Sequence, residues 1–237
     1  MAVEGATQAL IAAFFFGIVL NAASASLVLF LGGYGLTALL RDSQRLVLVL
    51  FLISAALWAL TDFITILLDI TTSSTPCQVG IVFSTTFDQF ARFSIEQFLL
   101  WALNTSNGAK LPVLQLVAQG LVLARFLAGA VFIGFARPQT DTFCVATTSE
   151  LPVGILVTAI DGAIALLLII RACSAGWIAR ANRESKRTGP DQARALVSVL
   201  SGLTSVPLLL GISTLPLATR TALPAGGLLV VIVVTKT

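Results

Sequence analysis

The sequence predicts an all-α polytopic membrane protein, a bundle of seven transmembrane helices with its amino terminus on the outer or lumenal side. Hydrophobic residues make up 57% of the 237 and charged residues only 11%, far from the half-apolar, quarter-charged balance of a soluble domain. Apolar runs of the roughly 20 residues needed to cross about 30 Å of hydrocarbon recur along the chain. Lys and Arg gather in the short loops on one side of these runs.

The first run covers 8–31. The segment before it, MAVEGATQ, has no basic n-region, and no A-x-A-like cleavage pattern follows, so the first helix itself is expected to direct insertion. The second run, 46–70, carries Trp58, Asp62 and Phe63, with Asp69 at its edge. The third, 79–103, carries Phe87, Asp88, Phe90, Arg92, Phe93, Glu96 and Phe98. The fourth, 112–136, holds Arg125 and Phe126, and the fifth, 152–175, holds Asp161 and Cys173. A sixth run spans 193–215 and contains Pro207, a possible kink point. The seventh, 223–235, is short, with about a dozen strongly apolar residues before Lys236, fewer than a span requires.

Arg41, Arg45, Lys110, Arg180, Arg183, Lys186, Arg187, Arg194 and Lys236 then fall on one side, and Arg137 and Arg220 on the other. By the positive-inside rule the first side is cytoplasmic. The basic stretch 176–192 reads as a solvated loop near anionic headgroups. The net charge of +3 is thus accounted for by topology, and no nucleic-acid partner is implied. Cys77 and Cys144 both land on the outer side, where a disulfide between them is expected. Cys173 reads as a small buried thiol, and the sequon Asn104-Thr105-Ser106 falls on the cytoplasmic side, where it goes unmodified. No internal repeat is evident, so residues 1–237 form a single helical domain, integral to the endoplasmic reticulum or another endomembrane.

Function is sought among ionisable residues at bilayer depth, which are expensive there unless they face a bundle interior or a water-filled cavity. Asp62, Asp88 and Asp161 each lie about eight or nine residues from the outer end of a run, roughly 12–14 Å deep. Arg92 follows Asp88 by one turn, Glu96 continues the stripe, and Arg125 reaches a similar depth from the fourth helix. One reading makes these groups structural glue, an Asp88–Arg92–Glu96 ladder with Arg125 paired to a neighbour. The other notes that the acids outnumber the arginines, so one carboxyl is left without a full partner and is suited to hold and donate a proton. The expected donor is Asp88 or Asp62, with Asp161 and Glu96 as further candidates. Arg92, Arg125, Phe87, Phe90, Trp58 and Phe63 are expected around the substrate, where aromatic faces can stabilise a cation.

There is no histidine in the chain and no cysteine cluster at metal-ligand spacing, which argues against His- or Cys-based metal and haem chemistry. No Lys lies mid-span to form a Schiff base, and no P-loop, dinucleotide fingerprint or G-x-S-x-G elbow occurs. No metal or cofactor is therefore expected. A carboxylic acid acting alone on a lipophilic small molecule is what remains.

With these features the chain resembles the small seven-helix integral-membrane terpene cyclases of fungal meroterpenoid pathways. The resemblance lies in size, helix content and acids in the outer-half interior. It departs from them where helix two reads Leu57-Trp58-Ala59-Leu60-Thr61-Asp62 instead of a Trp-Glu pair, and the last helix has no acid. The resemblance implies protonation of an olefin or epoxide of a prenylated substrate and ring closure through carbocations. A seven-helix receptor or sensor is the alternative, suggested by the placement of Cys77 and Cys144. Against it, Trp101-Ala102-Leu103-Asn104 stands where an acidic-Arg-aromatic triplet is expected. A proton-coupled transporter is the third reading.

Overall fold

The computed structural model describes residues 2–35, 41–67, 75–106, 112–135 and 152–181, all but a few of them helical. Five helices result: α1 (Ala2–Tyr34), α2 (Ser43–Leu67), α3 (Thr75–Ser106), α4 (Pro112–Phe135) and α5 (Pro152–Ala181). Their ends follow local chemistry. Gly35 terminates α1 at φ +71° and donates its N–H to the Leu31 carbonyl, a left-handed cap that glycine adopts without steric cost. Asp42 caps α2, its Oδ1 accepting from the Gln44 N–H at 3.1 Å. Pro112 and Pro152 open α4 and α5, where the missing N–H matters least.

The protein is an all-α, multi-pass membrane protein, and three of its described helices are long and apolar enough to cross a bilayer: Phe16–Tyr34, Ser43–Ile66 and Gln115–Gly134. This corrects the expected bundle of seven spanning helices. The runs expected at 193–215 and 223–235 lie outside the described residues. Pro152–Leu168 is a shorter apolar stretch, and α3 does not qualify as an apolar span. The reason for the last is physical. A window of hydropathy treats a helix buried among other helices like one bathed in lipid, and α3 carries Asp88, Arg92 and Glu96 because it is the buried one. With the count of seven go the alternating sides that put the amino terminus outside. The resemblance to seven-helix terpene cyclases and the seven-helix receptor alternative also go, since both rested on that count. Cys77, buried at the start of α3, is disulfide-bonded; its expected partner Cys144 lies outside the described residues, as do Asp69 and the side chain of Cys173.

The topology centres on α3, which packs against α2, α4 and α5; α1 packs against α2, and α4 against α5. From Ser94 to Leu100 every residue of α3 is buried, so this segment is enclosed on all sides. Leu48, Phe51 and Leu52 of α2, Ile95 and Leu99 of α3, Val122 of α4 and Ile164 and Leu168 of α5 belong to one apolar core. Outside it, Leu46, Leu50, Ile53, Leu57, Leu60 and Ile64 form an exposed stripe on α2 at three- to four-residue spacing. Leu116, Leu123, Leu127 and Val131 form another on α4. Apolar stripes on the outer face and polar groups in the centre suit a bundle whose solvent is lipid. α2 and α3 approach closely at Gly80, where a Cβ would stand 2.7 Å from the Thr65 methyl.

Candidate functional site

Asp88 and Arg92 of α3, Arg125 of α4 and Asp161 of α5 meet in the interior. Asp88 and Arg92, one turn apart on α3, form an ion pair in which the Arg92 Nε donates to both carboxylate oxygens at 3.1 and 3.0 Å. Arg92 Nη1 reaches the Asp161 carboxylate of α5 at 3.9 Å. Asp161 Oδ1 in turn accepts from Arg125 Nε of α4. Arg125 Nη1 donates to Gln89 Oε1 at 2.7 Å, and Gln89 Nε2 donates to Asp88 Oδ2 at 3.1 Å. Asp88, Arg92, Asp161, Arg125 and Gln89 therefore close a ring of five side chains drawn from three helices. Arg125 is fully buried, and Asp161 is 7% exposed.

Two carboxylates and two guanidiniums balance within this ring. That balance is what lets it sit in a low-dielectric interior, where an unpaired charge is prohibitive. Glu96, one turn beyond Arg92, is a fifth ionisable group and makes the total odd. It is 4% exposed, hydrogen-bonds to Asp161 and lies within electrostatic reach of Arg125 and Arg92. Its Oε2 has no hydrogen-bond partner among the described residues, and neither does Arg125 Nη2.

Asp62 is placed elsewhere. Its Oδ1 accepts from Ser84 Oγ at 2.6 Å across the α2–α3 contact, one helical turn, or about 6 Å of rise, from Asp88. The expected shared level of Asp62, Asp88 and Asp161 thus resolves into a ring holding Asp88 and Asp161 and a separate α2–α3 hydrogen bond holding Asp62. The aromatic residues divide in the same way. Trp58 stacks edge-on against Phe16 with ring centroids 5.3 Å apart, and Phe63 and Phe87 pack against the same cluster. Phe90 and Phe93 instead flank Phe126 of α4 at 6.2 and 5.2 Å. Trp58, Phe87 and Phe63 thus pack on the α1–α2 side, and Phe90 meets α4.

Sequence reasoning missed Gln89 and Gly129. Gln89 closes the ring, yet an uncharged amide among charged neighbours gave no signal by itself. Gly129 follows Arg125 by one turn, and a Cβ there would stand 2.8 Å from Arg125 Nη1 and 3.0 Å from Gln89 Oε1. A small residue four positions from a buried arginine is a readable sign that the helix face was kept clear for the guanidinium. Gly129→Val is expected to push Arg125 off Gln89 and to lower the melting temperature in detergent, by the roughly 1–3 kcal/mol typical of overpacking. Gly129→Ala should do less. Equal melting of wild type and the valine variant would show that the ring is not held by this fit.

Among the described residues no group of three or more His, Cys, Asp or Glu is arranged to hold a metal ion. What the arrangement can do chemically is keep four charges fixed and place one further carboxyl in the buried interior. No protein-family model and no curated protein matches this chain.

Proposed function

We propose that this membrane protein is a cofactor-independent enzyme in which a buried carboxylic acid protonates an olefin or epoxide of a lipophilic substrate and starts bond migration or ring closure. The observation that supports this reading is Glu96. The ring of Asp88, Arg92, Asp161 and Arg125 is neutral without it, so a proton on Glu96 keeps the whole cluster neutral, as a desolvated site favours. A neutral carboxyl group in a site that excludes water is a general acid. Asp88, the donor favoured by the sequence, has both oxygens engaged by Arg92 Nε and serves as the counter-ion of that arginine. Proton return to the carboxylate at the end of the cycle leaves the enzyme unchanged and the product isomeric with the substrate.

The test is incubation of membranes containing the protein with prenylated phenols and their epoxides, read by chromatography and mass spectrometry. Isomers of unchanged mass, absent from control membranes, are the expected result. An unaltered substrate panel counts against the enzyme. A second reading, proton-coupled transport, draws on the Asp88–Arg92–Glu96 stripe, which runs about 12 Å along α3. Substrate-dependent proton flux into sealed proteoliposomes, without chemical change, would favour it.

A further inference from the structure

Glu96 Oε2 and Arg125 Nη2 are a carboxyl oxygen and a guanidinium N–H left unmatched on two helices that pack together. Both residues are more than nine-tenths buried, and Glu96 lies within electrostatic reach of Arg125. Native interiors seldom leave polar atoms in this condition, and each such atom calls for an explanation. A second observation lies beside them. Phe126 of α4 sits between Phe90 and Phe93 of α3 and is 39% exposed on the lipid-facing surface. Phe93 precedes Glu96 by three residues and Phe126 follows Arg125 by one, so these two rings stand within one helical turn of the residues that carry the unmatched atoms, with Phe90 about one turn farther along α3.

We propose that this place binds an oxygen-bearing but otherwise apolar molecule, a lipophilic ketone or alcohol, with its oxygen between Glu96 Oε2 and Arg125 Nη2 and its hydrocarbon body along the Phe90–Phe126–Phe93 seam. A ketone oxygen accepts from the Arg125 N–H, the one O–H of protonated Glu96 being engaged with the Asp161 carboxylate. An alcohol accepts from Arg125 and donates its own O–H to Glu96. The chain presents these atoms next to rings that reach the bilayer, so the ligand arrives from the lipid. The site names the substrate class for the acid chemistry above and rests on that reading for the protonation of Glu96.

Benzophenone, an apolar ketone that inserts into C–H bonds on irradiation, is the probe, used on the full chain in lipid nanodiscs with adducts mapped by peptide mass spectrometry. Adducts are expected to concentrate in the α3 and α4 peptides that contain Phe93 and Phe126. Diphenylmethanol should suppress them. Diphenylmethane, with the same two rings and no oxygen, should compete about tenfold more weakly at matched membrane concentration, the loss of one charge-assisted hydrogen bond. Adducts spread evenly over the exposed faces of α2 and α4, or equal competition by the two compounds, would overturn the site. Selective labelling with no isomerisation of any olefin keeps the site and removes the acid chemistry; isomerisation with unselective labelling does the reverse.

Discussion

Arg125→Met is expected to leave little folded protein in membranes, while Arg125→Met combined with Asp161→Leu restores it. Arg125 is fully buried, and its removal strands the Asp161 carboxylate without its partner on α4 and Gln89 Oε1 without its donor. Breaking one side of a buried pair costs about 3–5 kcal/mol, because the remaining charge stays desolvated. That is a large share of a total stability of roughly 5–15 kcal/mol. Removing both partners takes away the stranded charge as well, and apolar replacements of similar volume are often neutral. Arg92 keeps Asp88 in the double variant, so the second ion pair survives. Thermal melting of the three proteins in the same detergent, followed by size-exclusion chromatography, gives the comparison. A single variant that melts with wild type would mean that Asp161 is already solvated, and the ring would then carry no energetic meaning.

The buried groups of this ring were legible in the sequence to an unequal degree. Arg92, Glu96, Arg125 and Asp161 could be singled out because a charge in an apolar run has few tolerable surroundings, and all four are buried in the structure. The spacing of Asp88 and Arg92 also gave their ion pair directly, since i and i+4 share a helix face. Asp62 shows the limit of the same argument. Depth along a helix says nothing of the direction a side chain takes around it, and Asp62 Oδ1 accepts from Ser84 Oγ across the α2–α3 contact. The aromatic residues show it again: Phe87 and Phe90, three residues apart, lie only about 60° apart around α3, yet Phe87 packs with the α1–α2 cluster and Phe90 meets Phe126 of α4, because spacing along one helix does not tell which neighbour borders each edge of its face. The fold class was readable as all-helical and membrane-embedded from composition alone. The number of spans was not, because apolar length is a measure of burial and cannot separate lipid from protein as the surrounding medium. α3 exposes this, being the most enclosed helix and yet too polar to count as an apolar span.

Glu96→Gln is expected to abolish turnover while leaving the fold intact, and Asp88→Asn to damage both. Glutamine matches the size of a protonated glutamic acid and is equally neutral, so the ring of Asp88, Arg92, Asp161, Arg125 and Gln89 keeps its charge balance and the melting temperature should stay within about 1 °C of wild type, as for substitutions that break no named interaction. An amide does not release a proton at useful driving force, so the chemical step should slow by roughly 10²–10⁴, the usual contribution of a positioned general acid. The loss should fall on kcat, with KM little changed, because the amide still hydrogen-bonds a substrate oxygen. Asp88→Asn acts through Arg92 instead: it removes the carboxylate that the Arg92 Nε contacts twice and leaves a buried guanidinium dependent on the more distant Asp161 contact at 3.9 Å. Its melting temperature should fall, and whatever activity it loses should follow the folded fraction. The assignment reverses if Asp88→Asn melts normally but is inactive while Glu96→Gln still turns over, since Asp88 would then be the donor. If Asp62→Asn, Asp88→Asn, Glu96→Gln and Asp161→Asn all convert a proven substrate at near wild-type rate, no acid of this interior supplies the proton, and proton flux through the α3 stripe becomes the reading to pursue.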